Sequence, residues 1–590
     1  MNLKMFKIFL CFLILTVAWG CEEKEENFIP EAPTNSAKPA YSNVSISTDK
    51  AAYSPNENVT FTIDISELPS TAKVRYKYLD QVIAESPLTS STWTWKAPPT
   101  DFRGYTVEIY TTANNSETIY STIAVDVSSD WKKFPRYGFV SKFPDLSEAD
   151  VNAVVSNLNR HHINGVQFYD WHNKHHMPLP MNGATPANSW KDIMNRDIYL
   201  STIQKYINSV HSFNMKAMQY NLVYGAWENA ETDGLKKEWY VYKDNTHSNV
   251  DVNTLGAPFL SSIYLLDPTN GDWQQHLINE NKKIYENLNF DGFHMDQLGD
   301  RGMTYNYSGA PLILSKTFKP FINAVKAATP NKYAVFNAVN QYGQQDIAES
   351  ASDFLYTEVW SPFETYNDLS NLIKQNNVLS HHTKNSVLAA YINYDLANRQ
   401  GFFNTPSVLM TNAVIFAFGG SHLELGEHML GKEYFANDNL TMKEDLKRAL
   451  VSYYDFLVAY QNLLRDGGTF NSVSVTSIDN KMNVVNWPAT SGSVATVGKQ
   501  VENKQVIHFI NFNNSKTQSW RDNTGIQAVP MQINDAQVSF AATGPVKKIW
   551  YASPDVAGGS SRSLNFTQNG DNVSFTLPEL QYWSMIVVEY

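Results

Sequence analysis

The sequence predicts a multidomain protein: an N-terminal immunoglobulin-like β-sandwich, a central (β/α)8 TIM barrel and a C-terminal antiparallel β-sandwich. A chain of 590 residues is too long for one ordinary domain, and two to four are expected. Up to about residue 130 the sequence shows short strands of alternating polarity. From there strands alternate with helices, and the short strands return near residue 465. We therefore place the three domains at residues 41–129, 130–464 and 465–590.

The first 20 residues have the layout of a secretory signal. Lys4 and Lys7 precede an apolar run that ends in small residues before Cys21. The end of this run is similar to a bacterial lipobox, so we expect residues 1–20 to be a lipoprotein signal peptide and Cys21 to carry the lipid. Residues 21–40 begin acidic and become rich in Pro, Ala, Ser and Asn, which predicts a flexible tether. We expect an exported protein, lipid-anchored at the outer membrane or cell surface; an uncleaved membrane anchor is the alternative.

Composition argues against several kinds of partner and site. The net charge is −12 and no block of Lys or Arg stands out, which argues against nucleic acid. Of the 2 cysteines, Cys11 would leave with the signal and Cys21 would be lipidated, so no thiol would remain for a disulfide, a nucleophile or a metal. The 32 Tyr and 14 Trp are more than a core usually needs, and aromatic rings stack on sugars.

Residues 41–129 are built from short segments of alternating polarity, such as VTFTIDI and YTVEIYTT, with turn residues between them. Strands of this length and spacing predict a β-sandwich of immunoglobulin type. This region contains no catalytic cluster.

From residue 131 onward, apolar segments alternate with helical patterns, which predicts a parallel sheet. Eight such segments predict a closed (β/α)8 barrel. The eight candidate strands are residues 136–140, 165–170, 216–224, 290–296, 332–339, 354–360, 386–393 and 412–420.

The last 126 residues return to short strands, such as VIHFINF and VKKIWYA, and predict a second β-sandwich. Packing against the barrel is the favoured role for this domain, and ligand binding is the alternative.

Two carboxylates stand at predicted strand ends, where a parallel barrel places its catalytic groups. Asp296 ends the fourth candidate strand, and Glu358 lies near the end of the sixth. Glycoside cleavage needs two carboxylates, one that attacks or activates water and one that protonates the leaving oxygen. Val359 and Trp360 give Glu358 an apolar neighbourhood that raises the pKa of a carboxyl, so we assign it as general acid and Asp296 as nucleophile. The separation of the two groups, which decides between retention and inversion, is left open by the sequence.

Polar and aromatic side chains at the other strand ends suit a carbohydrate ligand. Hydroxyl-binding amides, carboxylates and rings would converge there, and neither a Gly-rich phosphate loop nor HExxH is found. The candidate substrate-binding residues of this kind are Tyr169, Asp170, Trp171, Tyr220, Gln297, Asn337, Trp360 and Asn393.

The histidines do not form a standard metal signature. His172, His175 and His176 are close in sequence, but zinc needs ligands at definite spacings, so we predict no metal site. One of the histidines is instead expected to donate a hydrogen bond to a sugar hydroxyl.

Three segments, in order along the chain, resemble glycoside hydrolase family 66, which includes endo-dextranases and cycloisomaltooligosaccharide glucanotransferases. NGVQFYDWHNKHHMPL at residues 164–179 resembles one segment of the family. FDGFHMDQLGDRG at residues 290–302 resembles the nucleophile segment, with the Asp at Asp296, and YTEVW resembles the acid/base segment, with the Glu at Glu358. The order of domains in the family also covers nearly all of the chain after the tether.

This resemblance implies a retaining endo-hydrolase that cleaves α-1,6-linked glucan (dextran) through a covalent glycosyl-enzyme on Asp296. It implies that Tyr169, Asp170, Trp171 and His175 line the subsite of the reacting sugar and that no cofactor is needed. The glucanotransferases carry an all-β insertion in the barrel, and none is evident here, which favours hydrolysis. A transglycosylase or cyclising glucanotransferase, a non-catalytic glycan-binding lipoprotein and a glycosidase of another α-glucan remain as alternatives.

Overall fold

Eight parallel strands form the centre of the computed structural model, which describes residues 40–113 and 116–590. They pair in chain order, each in parallel register with the next. The Phe139 amide in the first strand donates to the Leu425 carbonyl just after the eighth at 3.1 Å, so the sheet is a nearly closed barrel. The strands are β1 (Tyr137–Val140), β2 (Gly165–Phe168), β3 (Lys216–Leu222), β4 (Gly292–Asp296), β5 (Tyr333–Asn337), β6 (Leu355–Glu358), β7 (Ser386–Ala389) and β8 (Ser421–His422).

A helix follows each barrel strand in the described chain, as expected for alternating strand and helix units. None of these helices is long and apolar enough to cross a membrane. They are α1 (Glu148–Arg160), α2 (Leu200–Ser212), α3 (Gly271–Asn287), α4 (Phe318–Ala328), α5 (Gln344–Ala348), α6 (Tyr366–Leu379), α7 (Thr405–Ala417), α8 (Glu444–Ala459) and α9 (Gln461–Leu464).

The prediction of an eighth strand at residues 412–420 is wrong, because residues 412–417 form the second half of α7 and the strand β8 begins only at Ser421. Asn404 caps the helix by accepting a hydrogen bond from the Ser407 amide, and Pro406 occupies its first turn. The helix is buried on all sides between the barrel and the C-terminal sheets, so its apolar run lacks the polar stripe of a surface helix.

Two mainly antiparallel sheets precede the barrel and enclose their own apolar core. A five-stranded sheet and a three-stranded sheet form this unit, as the predicted sandwich requires, and its immunoglobulin type stays a prediction. The strands are Ala40–Tyr41, Ile46–Thr48, Asn58–Ile63, Lys73–Tyr78, Gln81–Pro87, Thr92–Lys96, Arg103–Ala113 and Ser116–Val127.

Two further sheets, of seven and four strands, follow the barrel. One face of the larger sheet packs on the smaller sheet and the other face on α7 and α8. The strands are Thr469–Asn471, Val475–Ser477, Val484–Asn486, Val494–Val501, Lys504–Asn511, Ile533–Ala541, Lys548–Ala552, Arg562–Leu564, Phe566–Asn569, Asn572–Leu580 and Trp583–Glu589.

The connections of the barrel contain only strands of two or three residues within the described chain. The largest of these additions is a three-stranded sheet between β3 and α3. The short strands are Met181–Asn182, Thr185–Pro186, Ser189–Lys191, Asp197–Tyr199, Gly225–Ala226, Val252–Asn253, Ile263–Leu265, Thr304–Tyr305, Pro311–Leu312, Gly401–Phe402 and Leu440–Thr441.

All of the described residues belong to one compact unit, so the boundaries at 129 and 464 stay predictions. The predicted signal peptide, the lipidation site at Cys21 and nearly all of the tether lie outside the described residues.

Candidate active site

A cavity of about 340 Å³ opens at the carboxyl ends of the barrel strands. This is the end at which βα connections bring side chains from several strands together. Eight of the residues predicted from the sequence line it: Tyr169, Asp170, His175, Tyr220, Asp296, Gln297, Asn337 and Glu358.

The centre of the pocket is a pair of carboxylates joined by one amide. Asp296, Asn337 and Glu358 end the neighbouring strands β4, β5 and β6. The Asn337 Nδ2 atom donates to Asp296 Oδ1 at 2.8 Å and to Glu358 Oε2 at 3.0 Å. The two oxygen atoms can therefore be no more than 5.8 Å apart, the sum of these distances.

The remaining oxygen of each carboxylate accepts a hydrogen bond from a tyrosine. The Tyr220 hydroxyl donates to Asp296 Oδ2 at 2.6 Å, and the Tyr391 hydroxyl donates to Glu358 Oε1 at 2.8 Å. The Gln297 amide also donates to Asp296 Oδ1 at 2.8 Å. These contacts hold both carboxylates in place, and no ion pair to either is found among the described residues.

The environment favours a proton on Glu358. Burial, followed by the negative charge of Asp296, raises the pKa of Glu358 to about 7, although hydrogen bonds from Tyr391 and Asn337 oppose the shift. Burial also raises the pKa of Asp296, against the hydrogen bonds from Tyr220, Asn337 and the Gln297 amide. The extra donors on Asp296 favour it as the ionised member of the pair at neutral pH.

A third acidic group lines the same pocket after β2. Burial raises the pKa of Asp170 to about 7, while the positive charge of Arg196 lowers it. Asp170 has a φ of +50°, an uncommon backbone conformation for a residue other than glycine, and it aims the side chain into the pocket wall. His175 is buried with no partner on Nδ1, and burial lowers its pKa, so the ring is neutral.

Three residues predicted to bind substrate, Trp171, Asn393 and Trp360, do not line the pocket. Trp171 is fully buried in the core, with its indole N–H donating to the Tyr220 carbonyl. Asn393 is also fully buried, and its amide is engaged with the main chain of Asp522 and Asn404. Trp360 is half-buried outside the pocket, although its hydrogen bond helps to lower the pKa of Glu358.

Gln297 lines the pocket, but its side-chain amide is engaged in hydrogen bonds with other residues of the protein. Its Nε2 atom donates to the Asn337 carbonyl at 3.2 Å, and its Oε1 atom accepts from the Gly299 amide at 2.6 Å. Its side chain therefore holds the turn that follows Asp296.

Several residues that line the pocket were not predicted from the sequence. His294 stands two positions before Asp296 on β4 and faces the same interior, a relation that the strand period could have revealed. Tyr391 was passed over because β7 ends at Ala389, four residues earlier than predicted. Phe435 lies on the loop after β8, and its ring stacks on that of Tyr169 with 4.2 Å between the ring centroids. No sequence pattern predicted this residue.

One wall of the pocket is apolar. Its side chains come from the connections after β2, β3 and β4, and they pack into a small cluster. The members are Ile193, Leu222, Leu255, Phe259, Ile263 and Leu298. Apolar side chains of this kind suit the CH faces of a sugar ring and hold no metal, and the described residues contain no metal-binding cluster of His, Cys, Asp or Glu.

Comparison with known proteins gives one consistent result. Residues 48–587 match the model of glycosyl hydrolase family 66. A cycloisomaltooligosaccharide glucanotransferase of Niallia circulans is 29% identical, covering 92% of this chain and 71% of that protein. A dextranase of Streptococcus salivarius is 24% identical, covering 83% of this chain and 68% of that protein.

A solved structure has the same fold over nearly the whole chain. It is a cycloisomaltooligosaccharide glucanotransferase of a Paenibacillus species, complexed with cycloisomaltoheptaose. The TM-score is 0.85 at 27% identity, covering 93% of this chain and 100% of that chain.

Proposed function

The chain belongs to glycosyl hydrolase family 66, and from this premise we propose that it is a retaining endo-dextranase that cleaves α-1,6-glucosidic linkages to isomalto-oligosaccharides. The observation that carries the proposal is the Asn337 amide shared by Asp296 and Glu358. It limits the two bridged oxygens to 5.8 Å, near the 5–5.5 Å separation of retaining enzymes and below the roughly 6.5–9.5 Å of inverting ones. A separation this short leaves no room for a water between nucleophile and sugar.

In the first step, Asp296 attacks the anomeric carbon while Glu358 gives its proton to the departing glycosidic oxygen. The C–O bond to the leaving chain breaks as the bond from Asp296 to the sugar forms, and the leaving chain departs as an alcohol. The protonation states fit this division, because the pKa of Glu358 is raised to about 7 and Asp296 accepts three hydrogen bonds.

In the second step, Glu358, now ionised, takes a proton from water as the water oxygen attacks the same carbon. The bond to Asp296 breaks, the sugar leaves with its original anomeric configuration, and both carboxyl groups return to their starting states. Tyr169, Asp170 and His175 would bind the hydroxyls of the reacting glucose from the β2 side of the pocket. No cofactor enters either step.

The second candidate is glucanosyl transfer, in which a sugar hydroxyl replaces water in the second step. The apolar wall of the pocket favours it, because CH faces of an acceptor sugar would pack there and displace water. The lack of a large β insertion in the described barrel connections supports hydrolysis. Both kinds of enzyme are among the relatives of this chain.

Product analysis separates the candidates. The purified protein is incubated with dextran and, as a control, with starch, and the products are resolved by size. Linear isomalto-oligosaccharides from dextran alone support the endo-hydrolase, whereas rings or lengthened chains assign the transferase. Intact polymers, together with retention of dextran on the protein, would assign a glycan-binding lipoprotein.

Substitution of the proposed nucleophile tests the mechanism itself. Asp296→Asn keeps the shape and removes the attacking charge, so we expect turnover to fall by at least about 10⁴-fold while dextran binding persists. Asp300→Asn, on the exposed turn four residues later, is the matched control and should keep wild-type activity. Activity of Asp296→Asn within tenfold of wild type would assign the nucleophile to another group.

We also propose that Cys21 carries a lipid that anchors the protein at the outer membrane, where the active site would face dextran. In that case Cys21→Ser releases the protein from the membrane fraction. Equal membrane retention of the variant contradicts lipid attachment at this residue.

A further inference from the structure

A second cavity, of about 270 Å³, lies at the opposite end of the barrel from the active site. Asn385 and Gly419, which line it, immediately precede β7 and β8, so this is the face of the amino ends of the strands. The C-terminal sheets close it from the side through Thr469, Phe470 and Lys499. It shares no lining residue with the catalytic pocket.

The lining of this cavity is cationic. Five Lys and Arg side chains surround it, with His382 at the rim, and no Asp or Glu is among its lining residues. The five are Lys133, Lys374, Lys384, Arg465 and Lys499. In a chain with a net charge of −12, such a concentration of positive charge on one cavity creates a strong local field for anions.

Two of these cations lack the partners that buried charges require. The guanidinium of Arg465 donates once, to the Pro135 carbonyl, while its buried Nε and Nη1 atoms have no acceptor. Lys374 is half-buried and contacts only the Phe418 ring, at 5.5 Å, without an ion pair or hydrogen bond in the described chain. A charge without a partner is unfavourable when it is removed from water, and a bound anion would offset that cost.

The carboxylates nearest to this site are already engaged. Asp466 pairs with Lys133 at 2.7 Å, and Asp126 pairs with Arg136 at 2.7 Å behind Arg465. Lys499 is held by the carbonyls of the α9 segment, which fix its ammonium group but do not neutralise it. Burial accordingly lowers the pKa of Lys499 to about 8 and that of Arg465 to about 9.

We propose that this cavity is a binding site for a phosphate- or sulfate-type oxyanion, either free or as the ester of a small sugar. Charge selects the anion, and the ammonium group of Lys374 supplies free N–H donors, while the buried guanidinium of Arg465 adds positive charge behind the cavity wall. Asn377 adds a neutral amide group, and the partly exposed Phe470 ring offers an apolar contact for a sugar. No local motif marks the site in the sequence, because its lining runs from residue 133 to residue 499.

Calorimetric titration of the purified protein tests the proposal with inorganic phosphate, sulfate and glucose 6-phosphate as probes. Chloride at equal ionic strength and neutral glucose are the controls. We expect saturable binding of about one phosphate or sulfate per chain, unaffected by isomalto-oligosaccharide in the catalytic pocket. Tighter binding of glucose 6-phosphate than of phosphate assigns a sugar ester, and equal or weaker binding assigns the free oxyanion. Absence of saturable binding of all three probes overturns the proposal.

Two rim substitutions locate the site without disturbing the buried network. Lys374→Ala removes an ammonium that makes no ion pair, and Val378→Glu places a carboxylate at an exposed lining position one turn along α6. Each should weaken phosphate binding about tenfold or more, the worth of one hydrogen bond to a charged group. Lys319→Ala, which removes an exposed charge from α4, is the control and should bind as wild type. Equal affinity in all four proteins places the anion elsewhere and contradicts the assignment.

Discussion

At the scale of single residues, the Asn337 amide couples the ionisation of Asp296 to that of Glu358. It donates to both, and each negative charge raises the pKa of the other group, so the pair titrates as a unit. The reactive form, with Asp296 ionised and Glu358 protonated, exists between the two apparent pKa values. Activity should therefore follow a bell-shaped pH profile, with its basic limb near pH 7.

Tyr391→Phe tests how that basic limb is set. The Tyr391 hydroxyl donates to the Glu358 carboxylate and stabilises its ionised form, so it lowers the pKa. Its removal should raise the pKa of Glu358 and move the basic limb of kcat/KM to higher pH by up to about one unit. Tyr394→Phe, which loses a hydrogen bond to Glu433 instead, is the control and should keep the wild-type limb. A limb that stays in place or moves to lower pH in Tyr391→Phe would reassign the group behind it.

The two carboxylates could be predicted because strand ends can be read from local pattern. Asp296 and Glu358 each end an apolar run, and a parallel barrel brings such ends together. The neighbours of the carboxylates could not be predicted with the same certainty, since an error of four residues in the end of β7 exchanged Tyr391 for Asn393. Asn393 binds the C-terminal segment in place of a sugar.

At the scale of elements, α7 shows where hydrophobic pattern fails. A helix buried on every face has no polar stripe, so its sequence looks like that of a buried strand. Its length of 13 residues, together with Asn404 and Pro406 at its start, is the local signal that favoured a helix.

One segment of the C-terminal domain reaches the strand ends beside the active site. The Arg521 guanidinium donates to the Val359 carbonyl at 2.8 Å, next to Glu358, and lies 5.0 Å above the Trp360 ring. The Arg521 carbonyl accepts from the Asn393 amide at 2.7 Å, two residues beyond Tyr391. We therefore infer that Arg521 positions Glu358, the proposed general acid, together with Tyr391.

Arg521→Ala should lower kcat by about ten- to a hundredfold, because small displacements of a catalytic group have effects of this size. The basic limb of the pH profile should move as well, since the contact between Tyr391 and Glu358 loosens, whereas KM changes little. Arg399→Ala, which removes an exposed guanidinium from the same face, is the matched control. A variant that loses thermal stability but keeps kcat and its pH profile would limit Arg521 to a structural role.

At the scale of the whole molecule, one buried carboxylate on α8 joins the N-terminal sheets to the barrel. Asp455 on α8 accepts from the Ala124 amide at 2.9 Å, from Arg160 at 2.9 Å and from His162 at 2.7 Å. Arg160 and His162 hold the pKa of Asp455 at about 2 despite its burial. A lowered pKa of this kind stabilises the fold above the unfolded value near 4, and the stabilisation is lost between about pH 4 and pH 2.

Asp455→Ala should therefore reduce the free energy of unfolding by about 3–5 kcal/mol at pH 7, because it leaves Arg160 buried without its partner. Chemical denaturation, followed by fluorescence, measures this difference. Asp445→Ala, an exposed change on the same helix, should lie within about 0.5 kcal/mol of wild type. Equal stability of the two variants would show that the network contributes nothing to the junction.

The order of the three domains could be predicted from the local alternation of strand and helix patterns. The packing of the domains against one another could not. The contacts that join them link residues more than a hundred positions apart, such as Phe456 and Trp583, whose rings lie 4.7 Å apart. Tyr453 on the same helix donates to Asp555 at 3.0 Å. These contacts agree with packing against the barrel, the favoured role of the C-terminal domain. Ligand binding, the alternative role, would use other surfaces of that domain.

A chain that ends at Leu464 should consequently aggregate. Its apolar helix α7 and the inner face of α8 would lie open to water, a contiguous patch larger than soluble monomers expose. Sedimentation of the expressed protein measures this, and Trp583→Ala in the full chain is the milder test, with an expected loss of about 3–5 kcal/mol of unfolding free energy. Phe402→Ala, at a side chain already 57% exposed, is the control and should have little effect. A soluble, monomeric chain of residues 1–464 with wild-type cleavage of dextran would mean that the barrel stands alone, and that the C-terminal sheets, with Arg521 among them, are dispensable to both fold and site.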